Sequence, residues 1–577
     1  MKDHPIMSAE TSRPAAESRP CYPFRLTTDG IEVDIETKKG EVESALLCTS
    51  LTVIATASTA EGNDWGRVVE IQDPGGKRHR ILIRNGESPS ETAKLLRRHG
   101  LVLNMKVKKS KELLSELIES WITDEHHLLV HRAGWTDDSH ETFVISPARS
   151  VGSKQVFFDA PTSVSASQSE TRGTAADWAK STGALCSGNA LLIAAVSAAF
   201  AGPLLAPYGV PGFGLHLRGQ SSCGKSTALA VANSVWGHPD RMRSWRATTN
   251  GLEATASEMN DNILVLDEFG EIAGREASLA VYMLANGCGK SRANSTGKGA
   301  PMANFRVVFL SSGEISLSQK LAEVGKTAMG GQEARFVDIE ADTGKHGMFD
   351  NLHERPSGAS FSNELKAYSK QYYGSVGAEF VRRLVRLSSS DREKMMKHLK
   401  QREEVLRRSV QITLDGPAER VCYNLAIVAL AGDLATNFGL TGWSKAEALD
   451  ACKLIFAEWT KNRNSEVARL SRNILNFVDS GGGQHLERIG GPPLTDCIGY
   501  EDDDYYYFRL ITWARIHGDF NPTAAAKILK EKKIVVAGED RLTEKISRNV
   551  EGRPRHYRVD KKRLAAFAAD EEDPAPI

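Results

Sequence analysis

The pattern of apolar and polar positions changes character several times along the chain, and each change predicts a different kind of element. The opening stretch MKDHPIMSAETSRPAAESRP is polar and aperiodic, which predicts a disordered tail over residues 1–21. From Tyr22 onward short β-type runs recur: Phe24–Leu26, Ile31–Ile35, Ala45–Ala55, Arg67–Ile71, Arg80–Ile83, Leu128–His131 and Thr142–Ile145. Turns such as Asp73-Pro74-Gly75-Gly76 separate them. A helix is predicted over Ser90–His99, since Ser88 and Glu91 match a capping box. A second is predicted over Ser110–Ile122, with Leu113, Leu114, Leu117 and Ile118 on one face. Together these read as an α+β N-terminal domain over 22–150, followed by a Ser/Thr/Gly-rich linker over 151–174.

From Ala175 apolar runs alternate with helical stretches, the signature of a parallel α/β sheet, here over 175–345. Its expected strands are Gly214–Arg218, Ile263–Asp267, Arg306–Ser311 and Ala334–Ile339. The pattern then turns helical over 346–463, with amphipathic segments at Ser388–Arg408 and Arg420–Asn437. In 464–577, helices near Val467–Asp479 and Thr523–Lys532 precede β-type stretches at Lys533–Ala537 and His556–Val559, a winged-helix-like order. The longest apolar run, Ala190–Leu205, is broken by Gly202 and Pro203. It is short for a bilayer span and predicts a buried helix.

Composition narrows this picture. A chain of 577 residues exceeds a single core, so several domains are expected. Eight scattered cysteines contain no CxxC pair and no Cys/His zinc spacing, which argues against a disulfide framework and a zinc finger and fits a reducing cytosol. With no segment read as a secretion signal or membrane span, the expected location is cytoplasmic, without a membrane partner. Basic and acidic residues balance at 73 each, so any nucleic-acid contact must come from a local concentration of Lys and Arg.

The chemistry concentrates in Gly219-Gln220-Ser221-Ser222-Cys223-Gly224-Lys225-Ser226, which matches G-x-x-x-x-G-K-[ST] in full. Glycines let backbone N–H groups wrap phosphates, Lys225 reaches the β/γ oxygens, and the Ser226 hydroxyl ligates Mg²⁺. A short apolar strand precedes the loop, and Thr227 opens a helical stretch after it. Ile263–Leu266 is an apolar run ending in Asp267 and Glu268. There Asp267 would complete the Mg²⁺ shell and Glu268 would act as general base on water. These readings imply ATP and Mg²⁺ as ligands. A further strand, Phe305–Leu310, ends in Ser311-Ser312-Gly313-Glu314, where AAA+ ATPases carry a polar residue facing the γ-phosphate. Ser312 is the first choice and Ser311 the second, against a plain strand-ending turn. Arg335 stands at the start of the next apolar strand. It either reaches a neighbouring subunit's phosphate or pairs locally with Glu333 or Asp338.

Several strings resemble a family of unknown function that includes the MCM-like AAA+ helicases of cassette-type mobile elements. They are Gly188-Asn189-Ala190-Leu191-Leu192, Ser234-Val235-Trp236-Gly237, Ser244-Trp245-Arg246-Ala247-Thr248, Tyr282-Met283-Leu284-Ala285-Asn286-Gly287 and Gly289-Lys290-Ser291-Arg292-Ala293. The resemblance runs from about Tyr22 to Gly344. It implies a P-loop AAA+ ATPase core in a hexameric ring that translocates on DNA, with a replication partner such as a primase unspecified. It makes Arg335 an arginine finger, although Arg-Phe-Val-Asp displaces the family's acid by one position. It also makes Asn286–Lys298 a pore hairpin, whose Lys290, Arg292 and Lys298 would contact single-stranded DNA backbone; otherwise the segment is an exposed loop. Lys106–Lys111 (KVKKSK) is a weaker basic run, for which a solvated loop is the simpler reading. The expected function is thus an ATP-driven DNA helicase of a mobile element, phage or plasmid. An ATPase that switches assembly state in regulation or defence, and a small-molecule P-loop kinase, are the competing readings.

Overall fold

The computed structural model describes residues 18–36, 40–159, 170–289, 292–293, 299–300, 304–324, 330–342, 345–410, 412, 414–518, 520–538, 541–545 and 555–569. The chain divides into two compact units, 1–167 and 168–577.

In the first unit, Leu51–Ser58 alternates buried and half-buried positions, as a strand with one covered face must. It is the middle strand of a five-stranded sheet, ordered Val156–Phe158, His126–Val130, Leu51–Ser58, Gly66–Gln72, Arg78–Arg84. A three-stranded antiparallel sheet joins Phe24–Leu26, Ile31–Glu36 and Val42–Cys48. Both sheets contribute to one core with the helices Pro89–Arg98 and Ser110–Ser120. The capping box is present, with Ser88 and Glu91 satisfying each other's backbone N–H groups.

Two expectations are corrected here. The apolar run Ala45–Ala55 is not one strand. It breaks at Thr49, whose N–H donates to the Val102 carbonyl and whose hydroxyl accepts from the Val102 N–H, so the flanking strands join different sheets. The segment read as a linker starts as sheet: Arg149–Gly152 pairs with Thr142–Ser146, and Val156–Phe158 runs parallel to His126–Val130. Polar composition misled there, because an edge strand needs only one apolar face.

The second unit is built on a parallel sheet whose strands, numbered within this unit, are β1 (Phe213–Arg218), β2 (Arg243–Ser244), β3 (Asn262–Asp267), β4 (Val307–Gly313) and β5 (Phe336–Glu340). Their spatial order is β2-β3-β4-β1-β5. The long strands β1, β3 and β4 are buried nearly throughout, as expected when helices cover both faces. Only β2 was not anticipated; at two residues it has too little apolar pattern to read. The helix Ala190–Ala201 is buried almost end to end. The run beyond it bends at Gly202, where a Cβ would sit 2.5 Å from the Asn262 Cα.

Five helices follow the sheet: Gly358–Gln371, Ser375–Val385, Ser389–Ser409, Gly416–Asn437 and Glu447–Asp479. The last is continuous through residue 463, where the sequence pattern suggested a domain boundary. The C-terminal part carries a five-stranded sheet ordered Leu486–Arg488, Gly499–Glu501, Tyr505–Arg509, Arg555–Asp560, Glu544–Lys545. The hairpin 499–509 precedes the helices Leu510–Ile516 and Pro522–Glu531, and the helix Lys561–Ala569 follows the final strand. Among the described residues, no helix is long and apolar enough to cross a membrane.

Candidate phosphate-binding site

β1 ends at Arg218, and the chain enters the glycine-bearing loop with the Gly219 N–H donating to the Gly313 carbonyl at the end of β4 (3.1 Å). Ser222 (φ 66°) and Gly224 (φ 108°) occupy left-handed conformations, which coil the backbone before the helix Lys225–Ser234 begins. At Gly224 there is also no room for a side chain, since a Cβ would lie 2.8 Å from the Phe349 ring. Lys225 is 8% exposed. Its ammonium donates to the carbonyls of Gly219 and Gln220, both at 2.7 Å, which folds it over its own loop.

A cavity of about 610 Å³ opens on this loop. Ser221, Ser222, Gly224, Lys225, Ser226 and Thr227 line it, and so do Asp267 and Glu268 from the end of β3 and Ser312 from β4. Gly219, Gln220 and Cys223 belong to the loop but are not part of this lining. The Ser312 hydroxyl donates to Asp267 Oδ1, and the Glu268 N–H donates to the same oxygen (3.0 Å). Glu268 takes a left-handed conformation (φ 60°) on leaving the strand. Its carboxyl is held above the ordinary value, first by partial burial and then by Asp267, Glu271 and Glu314, with Lys225 opposing.

Successive residues of a strand face opposite ways, and this separates the two serines of β4. Ser312 faces the cavity. Ser311 is fully buried, accepting from the Trp245 indole N–H (2.8 Å) and lying 3.0 Å from His216 Nδ1. His216 Nε2 is 3.0 Å from the Ile315 carbonyl, so the neutral ring donates there and accepts at Nδ1. Burial pushes its imidazole down to about 3, with the Ile315 hydrogen bond opposing.

Arg335 is not brought to this cavity. It precedes β5, donates to the Gly331 carbonyl (2.7 Å), and lies over the Tyr282 ring at 5.3 Å. Asp338, one candidate local partner, is paired with Arg218 instead (2.9 Å). The backbone of Arg292–Ala293, inside the expected hairpin segment, pairs antiparallel with Gly299–Ala300, just beyond that segment's end. Lys290, Lys298 and the Arg292 side chain lie outside the described residues.

One wall of the cavity had no motif to announce it. His346, Gly347 and Phe349 line it, with Gly358, Ser362, Asn363 and Lys366 from the helix Gly358–Gln371. This strap is fastened to the loop: the Met348 N–H donates to the Cys223 carbonyl (2.8 Å), and Thr227 and Ser362 share a hydrogen bond of 2.6 Å. Asn189 ties its far end, accepting from the Asp350 and Asn351 N–H groups and donating to the Asn351 carbonyl. Asn189 stood in the quoted sequence strings, but nothing there assigned it this contact.

These residues fit a Mg-nucleotide. A coiled backbone with no room for a side chain at Gly224, a buried ammonium, one hydroxyl (Ser226) and one carboxylate (Asp267) on a shared cavity are groups that suit Mg²⁺ and a polyphosphate.

The model of a domain of unknown function (DUF927) matches residues 24–301. No curated protein matches the chain. The solved structure described as "SCCmec type IV Cch - active helicase" superposes with a TM-score of 0.65 at 16% identity, covering 95% of this chain and 98% of that one. At that identity it shows that the two share a fold. The A-form apo structure of the NrS-1 C-terminal region reaches a TM-score of only 0.25 at 10% identity, covering 65% of this chain and 86% of that one, too low to carry an argument.

Proposed function

We propose that this chain is an ATP-dependent DNA helicase or translocase of the AAA+ type, working as a hexameric ring in replication of a mobile element. The observation that carries this reading is the convergence on one cavity of Lys225, Ser226, Asp267, Glu268 and Ser312 from β1, β3 and β4. The strand between the loop strand and the acidic strand supports an AAA+ core, because it delivers a polar group to the carboxylate pair. The shared fold with a structure described as an active helicase supports the DNA-related part.

In this mechanism the loop N–H groups and Lys225 neutralise the β- and γ-phosphates of ATP. Ser226 and Asp267 would hold Mg²⁺, which would supply charge screening to a bound polyphosphate. Glu268, made more basic by its surroundings, takes the proton of a water attacking the γ-phosphorus. The bond to the β-phosphate oxygen breaks, and ADP and phosphate leave. Ser312 keeps Asp267 oriented. Arg335 lies off its own cavity, which supports its completing a neighbour's site, and the hairpin bearing Lys290, Arg292 and Lys298 would follow the DNA strand.

The test is ATP hydrolysis and strand displacement on a forked DNA, compared with the Lys225→Ala chain. The variant should lose both. Hydrolysis retained by Lys225→Ala would disprove the site, and hydrolysis without any displacement or single-strand stimulation would disprove the helicase.

A further inference from the structure

Between residues 94 and 111 the first unit carries Lys94, Arg97, Arg98, Lys106, Lys108, Lys109 and Lys111, and no Asp or Glu. In a chain whose charges balance overall, this is a local excess. Other arginines of the same unit have carboxylate partners: Arg25 pairs with Asp34 and Arg84 with Asp64, while Arg78 and Arg80 share Glu70. Among the described ion pairs none involves the seven, and all but the half-buried Lys111 are exposed. Arg97 and Arg98 have a local use, since they close the last turn of a helix where cations are favoured. Lys106, Lys108 and Lys109 have none.

A solvated loop would leave these lysines loosely held, but this one is fastened. Leu101, Leu103 and Val107 are buried in the core shared with Leu96 of the first helix and Leu114 of the second, which brings both basic stretches onto one structural body. Asn104 clamps the turn. Its N–H donates to the Leu47 carbonyl and its amide to the Leu46 carbonyl, both at 2.8 Å, while its own oxygen accepts from the Lys106 N–H (3.1 Å). The Val107 and Ser110 N–H groups close the following turns on Asn104 and Val107. Lys106 and Lys108 thus flank an anchored valine.

We propose that this surface, the turn 104–111 with the end of the helix Pro89–Arg98, binds the phosphodiester backbone of DNA without reading sequence. Unneutralised cations on a preorganised turn suit a polyanion of regularly repeated charge, whose counterions are released on contact. The surface belongs to the first unit and the nucleotide cavity to the second, so the proposal does not depend on the ATPase reading.

The full chain, without nucleotide, is titrated with labelled random-sequence DNA, single-stranded and duplex, from about 50 to 200 mM salt. Against wild type, Lys106→Ala/Lys108→Ala/Lys109→Ala should lose roughly 10- to 100-fold in affinity, and its salt slope should fall by about 2 at ~0.7 per contact for single strands. A larger loss on duplex would assign the surface to duplex DNA. Arg25→Ala/Arg84→Ala, each removing a cation paired with its own carboxylate, should leave affinity and slope unchanged. Unchanged binding by the triple variant overturns the proposal. So would loss of poly-L-glutamate binding with DNA binding intact, which would assign the face to an acidic protein.

Discussion

Histidines report how differently one residue type behaves in this molecule. His216 is buried with both ring nitrogens engaged, joining β1 to the end of β4 through Ser311 and the Ile315 carbonyl. His517 is equally buried, at 1% exposure, yet among the described residues neither of its ring nitrogens has a hydrogen-bond partner; it packs edge-on against Trp513 at 4.5 Å. Burial pushes its imidazole down to about 4. The unfolded chain takes up this proton near the ordinary value of ~6.5. The folded chain resists until about 4, so between those values the unfolded state holds more protons. Stability from neutral His517 is therefore complete above about 6.5 and is lost as the pH falls toward 4, at up to ~1.4 kcal/mol per pH unit. His517→Phe, which keeps the ring and removes the titration, should lessen the drop in urea midpoint between pH 7 and pH 5. Parallel drops in both proteins would show that this imidazole is not held neutral.

At the scale of elements, the site depends on what lies between and behind its motifs. β4 separates β1 from β3, so the acidic pair is reached from the phosphate loop across an intervening strand. The Ser312 hydroxyl spans the last step to Asp267. On the opposite side, the strap at 346–351 that walls the cavity is tied by Asn189, at the start of the helix Ala190–Ala201, through its side-chain amide. Asn189→Ala leaves two strap N–H groups without their acceptor and frees the wall that carries His346 and Phe349. The expected result is roughly tenfold weaker nucleotide binding (~1.4 kcal/mol) with a smaller effect on kcat. Binding of a fluorescent ATP analogue measures it, and unchanged affinity would mean the strap holds without Asn189.

At the scale of the molecule, the position of Arg335 has the widest consequence. Its guanidinium rests on Tyr282 and the Gly331 carbonyl rather than on the chain's own cavity. If Arg335 acts in a ring, Arg335→Ala and Glu268→Gln should each abolish turnover while retaining nucleotide binding. An equal mixture of the two should then regain activity, because some interfaces combine an intact Glu268 with an intact Arg335 from the neighbour. A mixture as inactive as its components would return Arg335 to a local packing role.

The sequence by itself located the glycine-bearing loop before Lys225, the acidic end of β3, the capped helix after Ser88 and the buried helix from Ala190. In each case the cause lies within a few adjacent residues: a hydrophobic period, a cap, or a glycine that lets the backbone coil. It blurred where local pattern is ambiguous, joining two strands at Thr49 and reading the strand Val156–Phe158 as linker. Only the tertiary structure decided that β4 lies between β1 and β3, that Ser312 and not Ser311 meets Asp267, and that the strap completes the cavity. The strap's tie to Asn189 joins residues 162 positions apart. Such contacts are set by how layers pack and which face of a strand they cover, and no local period records them.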